Sequence, residues 1–290
     1  MRELSYKIDE EFDGKQVLQL LKHHGYGRAI ITSLKQDDRL ICNGKHIRTI
    51  DMLKKGDIVT VKMEDKSDII PNMSLSVPVI YDDDDVIVFD KPPFMAVHPS
   101  LKHYDDTLAN YFTALYPDMV FRSVNRLDRN TSGLVVVAKN RLSAAHLANK
   151  SDFSPQKTYY AITEGDVSEK FGCCGEIIAP IARVSDSLIN REVRSDGQYA
   201  HTLFKVIKSS RYMSLLEITL VTGRTHQIRV HFSWAGYPLL GDDLYGGKLT
   251  AINRQALHCG KAVFIHPVTR EKVAVEADFP EDMKKIIDMI

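Results

Sequence analysis

Little in the 290-residue chain announces a function. The four cysteines (Cys42, Cys173, Cys174 and Cys259) are scattered, and two are neighbours, which argues against a disulfide framework. None shows the Cys-x-x-Cys spacing of a zinc ribbon. No run approaches the roughly 18 apolar residues a membrane helix requires, and "MRELSYKIDEEFDGK" has no apolar signal core, so a cytoplasmic protein without membrane contact is expected. No Gly-x-x-x-x-Gly-Lys-Ser/Thr occurs, which excludes a P-loop. Net charge is also missing: 38 Lys and Arg balance 38 Asp and Glu. That excludes a globally basic protein but not local cationic patches.

What is present suggests one large domain or two ordinary ones. In residues 13–63, "GKQVLQLLKHHGYG" has helical apolar spacing with Gly25 as its stop, and "RLICNGKHI" and "GDIVTVKM" read as strands with an Asn43-Gly44 turn. This block is basic, through Lys15, Lys22, Arg28, Lys35, Arg39, Lys45 and Arg48. Polar "EDKSDIIPNMSLSVP" reads as a linker. The expected division is a small domain over 1–70, a linker over 71–78 and a second domain over 79–290.

In the second domain, "DVIVFDKPP", "GLVVVAK", "KTYYAITEG", "HTLFKVIKSS" and "MSLLEITLVTG" read as strands. "DDTLANYFTALYP", "RLSAAHLANK" and "RTHQIRVHFSWAG" read as helices, the last with Ile228, Phe232 and Ala235 on one face. "KAVFIHP" and "KVAVEAD" form a closing hairpin, and "PEDMKKIIDMI" a final helix. Many strands with short turns and few helices predict an α+β fold with a mixed, mostly antiparallel central sheet and flanking helices.

Charge then concentrates attention. Arg122, Arg126, Arg129, Lys139 and Arg141 surround the lone acid Asp128, and "TGRTHQIRVH" adds Arg224, His226, Arg229 and His231 with no acid. If the two segments meet, a single carboxylate lies in a positive groove suited to a phosphate backbone. Two plainer readings stand beside this one. Asp128 could pair with arginine on a solvated loop, which is worth little, and "TGRTHQ" could be a helix N-terminus that binds phosphate.

These residues carry a resemblance. Asn125-Arg126-Leu127-Asp128-Arg129-Asn130-Thr131-Ser132-Gly133-Leu134 resembles the signature of the RluA-like pseudouridine synthases, which isomerise uridine in ribosomal and transfer RNA. "DKPPFMAVHPS", "KTYYA", "LVTGRTHQIRVH", "GDDLYGG" and "LHCGKAVFIHP" resemble further family elements in order, over about residues 79–277. The basic N-terminal block is similar to the S4-like RNA-binding module of many members, with a poorer match in its helical half. The resemblance implies a pseudouridine synthase-like catalytic domain behind a small S4-like α/β domain. One departure is Asn125, where histidine is usual; asparagine can still bond backbone but cannot be charged.

The resemblance also assigns roles. Asp128 is the reacting carboxylate, Arg229 its ion-pair partner and Tyr159 the aromatic face for the flipped uracil. Arg126 fills the gap the base leaves, and Arg129, Arg224 and His226 are further RNA contacts. A carboxylate buried with a base needs a fixed cation to remain charged, and arginine stays protonated. Extruding a base costs on the order of a few kcal/mol, and stacking on an aromatic ring returns roughly 1–3 kcal/mol. Strand alternation sends Tyr160 to the opposite face from Tyr159. The isomerisation changes no oxidation state, so no cofactor, nucleotide or metal is expected, and a groove enzyme of this size is expected to work as a monomer.

Other features are read as structural. Asp82–Asp85 is taken as a solvated turn, His258, Cys259 and His266 lack a fourth zinc ligand, His98 is a loop or groove residue, and Trp234 is expected to pack on the sheet. Two alternatives remain: an inactive RNA-binding assembly factor, and a glycoside or nucleoside hydrolase. The hydrolase would need a second carboxylate, and none lies near Asp128 in sequence or in the second basic cluster.

Overall fold

A computed structural model describes residues 2–35, 39–63, 67–148, 154–185, 187 and 189–290. The fold is α+β, as expected. Its centre is a mixed sheet in the order Cys174–Ile178, His201–Ser209, Met213–Leu220, Gln156–Glu164, Leu257–Ile265, Ser132–Ala138, Val86–Lys91 and Val79–Asp82. Lys272–Glu276 adds to Leu257–Ile265, and Arg122–Ser123 to Ser132–Ala138. Every pairing is antiparallel except Leu257–Ile265 with Ser132–Ala138.

Burial explains the central strand. Each side chain from Ser132 to Ala138 is buried, as an uninterrupted apolar run covered on both faces requires. Phe89, Phe112, Phe232 and Phe264 fill the same core. Helix Leu108–Leu115 starts with a Thr107–Asn110 capping box, and the Asn110 amide donates to Ile70 O at 2.7 Å. That bond and the burial of Val77 pin the segment read as a linker; its first residues, 64–66, lie outside the described residues. Helix Arg141–Ala148 also forms, and the last two residues of its predicted span lie outside them as well.

The N-terminal residues build a separate four-stranded sheet in the order Arg2–Lys7, Ile58–Met63, Leu40–Cys42, Lys45–His46. Asn43 and Gly44, with φ of 48° and 80°, form its hairpin turn. The sequence reading missed strand Arg2–Lys7, which lies in a mostly polar stretch, and helix Arg28–Leu34. Val17, Leu20, Leu21, Ile31 and Leu34 make a second apolar core, into which Leu142 of helix Arg141–Ala148 inserts.

Two expectations are corrected. Trp234 is 60% exposed instead of packed on the sheet: helix Gln227–Trp234 is buried on all sides from Gln227 to Phe232, and Trp234 is its last residue, beyond that buried stretch. Asp85 is buried, not solvated, because its carboxylate accepts from the Asn140 amide at 2.7 Å.

Gly133 shows how tightly the sheet holds the loop before it. Its φ is +110°, and a Cβ there would lie 2.3 Å from Cys259 O. Gly133→Ala is therefore expected to lower stability by about 3 kcal/mol or more, read by denaturant unfolding.

Candidate active site

The two basic segments do meet. Asp128 sits in the turn before the central strand, closed by Thr131 N–H donating to Asp128 O at 3.0 Å. Arg229 reaches it from the first turn of helix Gln227–Trp234, with Nη1 3.0 Å from Asp128 Oδ2. The Asp128 side chain is 28% exposed and that of Arg229 only 7%. A surface ion pair is therefore excluded, and Arg229 is too deep to be a simple phosphate contact.

Arg229 has a second partner that sequence reading did not find. Its Nε and Nη2 donate to Asp242 Oδ2 and Oδ1 at 2.7 and 2.8 Å, and the Asp242 side chain is fully buried. No acid lies near Asp128 in sequence, but the fold brings Asp242 onto the same guanidinium. Asp242, however, has both oxygens held in a fork by Arg229, so it offers no free acid for glycoside hydrolysis. The two carboxylates around it hold the Arg229 guanidinium protonated despite burial. Tyr245, from the same turn as Asp242, places its ring 4.9 Å from the guanidinium carbon.

Tyr159 lies on strand Gln156–Glu164 facing Asp128, buried beneath a groove of about 900 Å³. Burial pushes its hydroxyl well above the usual range, so it stays neutral. Tyr160 faces the other way, against Phe279, as alternation predicts. Arg126, Asp128, Arg224 and His226 line the groove with Tyr159, and so does His98. Arg126 is exposed at its rim. Arg129 is exposed but lines neither the groove nor the smaller pocket at Asp128. His226, read as an RNA contact, turns Nδ1 to Tyr245 and Nε2 to Asp128 Oδ2, 3.7 Å away. Burial lowers its pKa, partly opposed by the charge of Asp128.

Several positioning groups also escaped sequence reading. Lys91, fully buried, donates from Nζ to Pro92 O, Met95 O and Arg129 O at 2.8, 2.9 and 3.2 Å, clamping the Asp128 turn. Burial brings this ammonium down to about 7. Arg254 donates to Asn130 O at 3.2 Å. Gln227 Oε1 accepts from Arg224 N–H at 2.9 Å and Thr222 Oγ at 2.8 Å, shaping the loop before the helix. The only advance signal was the motif "DKPP" for Lys91 and "GDDLYGG" for Asp242 and Tyr245. Asn125 donates its amide to Leu134 O at 3.1 Å and accepts from Val136 N–H at 2.9 Å, a backbone role that needs no charge.

Among the described residues, Asp83, Asp85 and His266 could be brought around a metal ion. His266 Nδ1 accepts from Val268 and Thr269 N–H at 3.3 and 3.0 Å. Its proton therefore sits on Nε2, which lies 3.0 Å from Asp83 Oδ2 without hydrogen-bond geometry and has no lone pair to offer a metal.

A carboxylate held by buried arginine at the floor of a groove with a cationic rim, built on a mixed sheet, defines an enzyme that works on a polyanion. The RNA pseudouridylate synthase family profile matches residues 85–234. An uncharacterized RNA pseudouridine synthase of Bacillus subtilis, YjbO, is 37% identical over 91% of this chain and 95% of its own length. Ribosomal large subunit pseudouridine synthase D of Zymomonas mobilis is 37% identical over 73% of this chain and 72% of its own. In fold the chain is similar to human RNA Pseudouridylate Synthase Domain Containing 1, with a TM-score of 0.58 and 23% identity over 76% of this chain and 96% of that one. The chain belongs to the RNA pseudouridylate synthase family, and the activity of that family is an isomerisation within RNA. No helix among the described residues is long and apolar enough to cross a membrane.

Proposed function

We propose that this chain converts a uridine of ribosomal or transfer RNA to pseudouridine, with Asp128 as the reacting carboxylate. The observation that carries this reading is the 3.0 Å contact of Arg229 with Asp128, which lines with Tyr159 a groove of about 900 Å³, large enough for a flipped nucleotide. The reaction breaks the bond from C1′ to N1 and forms one from C1′ to C5; C5 loses its proton and N1 gains one. Arg229 gives the Asp128 carboxylate a fixed counter-charge as the base enters and water leaves. Tyr159 gives the uracil an aromatic face, and Arg126 enters the space the base vacates.

Arg224 supplies a phosphate contact in the groove and Arg129 one on the exposed surface outside it, and His226 meets the RNA only at the reacting nucleotide. Residues 1–70 serve as an S4-like RNA-binding module, 71–78 connect it, and 79–290 form the catalytic unit. The protein acts as a monomer in the cytoplasm. Similarity to a ribosomal large subunit enzyme supports a ribosomal substrate.

The test is incubation of purified protein with unmodified ribosomal and transfer RNA, then carbodiimide labelling and primer extension. A stop at one defined uridine is expected. Release of free uracil would instead indicate a hydrolase, and binding with no labelled uridine in any RNA would favour an assembly factor.

A further inference from the structure

Asp242 and Tyr245 come from one tight turn, and both touch Arg229. Gly247 makes the turn possible, because a Cβ there would lie 2.0 Å from Leu239 O. Ser233 Oγ donates to Tyr245 O at 2.7 Å and ties the turn to helix Gln227–Trp234. The turn meets Arg229 twice, with a carboxylate on the edge of the guanidinium and an aromatic face beside it. The Tyr245 hydroxyl does something else. It accepts Arg191 N–H at 3.1 Å and lies 2.8 Å from His226 Nδ1.

A phenol oxygen that already accepts a backbone N–H has its own proton to give, and His226 Nδ1 is the acceptor within reach. Accepting that proton fixes the neutral imidazole with its hydrogen on Nε2, the nitrogen that faces Asp128 Oδ2 at 3.7 Å. The same Oδ2 already receives Arg229 Nη1. Two N–H groups are therefore aimed at one carboxylate oxygen, one bond made and the other a short movement from being made. No hydrogen bond reaches Asp128 Oδ1 among the described residues. The His226 backbone is in the left-handed region, with φ of +57°, unusual for a residue other than glycine. That conformation, just before the helix, turns the ring inward between Tyr245 and Asp128.

We propose that Tyr245 is a positioning residue for Asp128: by fixing the tautomer of His226 it commits a second N–H donor to Oδ2 and leaves Oδ1 as the oxygen presented to the nucleotide. This rests on Asp128 being the reacting carboxylate. It extends that reading to residues beyond the Asp128–Arg229 pair and makes the donation from Tyr245 directional. The Arg191 N–H bond also attaches hairpin Ile181–Arg183/Arg191–Val193 to this chain of donors, so the hydroxyl cannot rotate away without stranding a backbone donor.

Tyr245→Phe tests it, because the ring beside Arg229 is kept and only the hydroxyl is lost. Nitrogen-15 NMR of histidine-labelled protein, recorded without RNA, is expected to show His226 as the Nε2–H tautomer in the parent and a tautomer mixture in Tyr245→Phe. Single-turnover conversion should fall on the order of ten-fold in Tyr245→Phe, with RNA affinity nearly unchanged and the thermal midpoint lowered modestly because the Arg191 N–H loses its acceptor. In a His226→Gln background the same substitution should cost nothing further, since the hydroxyl acts through the ring. An unaltered His226 tautomer, a parent-like rate, or losses that simply add in the double variant would each overturn the proposal. The NMR readout needs no reaction, so its failure is distinct from finding that Asp128 is not the reacting group.

Discussion

Asp128→Asn should lose conversion by roughly 10⁴-fold or more while binding RNA within a few-fold of the parent. The substitution is close to isosteric, and Arg229 keeps its fork on Asp242, so neither the fold nor the groove has reason to change. Removing one negative charge from a cationic groove should even tighten binding to a polyanion slightly. The check pairs single-turnover labelling of pseudouridine with a binding isotherm at one fixed salt concentration, since phosphate contacts are salt-dependent. Conversion surviving in Asp128→Asn would remove the basis of the proposed mechanism.

Arg229→Met should be costly in a different way. It leaves Asp242, with a fully buried side chain, as an uncompensated charge, and breaking a buried pair from one side costs about 3–5 kcal/mol. For a domain of this size that corresponds to a fall in Tm of roughly 6–20 °C. Replacing both partners, Arg229→Met with Asp242→Leu, should restore much of that stability, because an apolar pair can stand in for a buried ion pair. Conversion should stay lost in the double variant, since Asp128 then has no fixed cation. Thermal unfolding and single-turnover rates measured on the same preparations separate the two roles. Recovered conversion in the double variant would show that Arg229 serves the fold alone.

Features whose partners lie close along the chain were legible in the sequence, and those with distant partners were not. The strand Ser132–Ala138, the alternation of Tyr159 and Tyr160, the Asn43-Gly44 turn and the closing hairpin were legible because their causes are local: apolar runs, period-two alternation and turn chemistry. The signature around Asp128 was legible because several motifs recur in order. Trp234 was misread because periodicity gives a face but not where a helix ends. Asp85 was misread because its partner, Asn140, is 55 residues away.

By itself, then, the sequence determined the α+β class, the strand that follows the Asp128 loop, and the identity of Asp128, Tyr159 and Arg229 as residues to follow. Only the tertiary structure decided that Arg229 is shared between two carboxylates, that Lys91 clamps the loop, and that Tyr245 addresses His226. Asp128 and Arg229 are 101 residues apart, and no local propensity encodes which buried charge will face which. That choice is made when packing removes water, because a buried ion or donor must then find a partner wherever the chain has brought one.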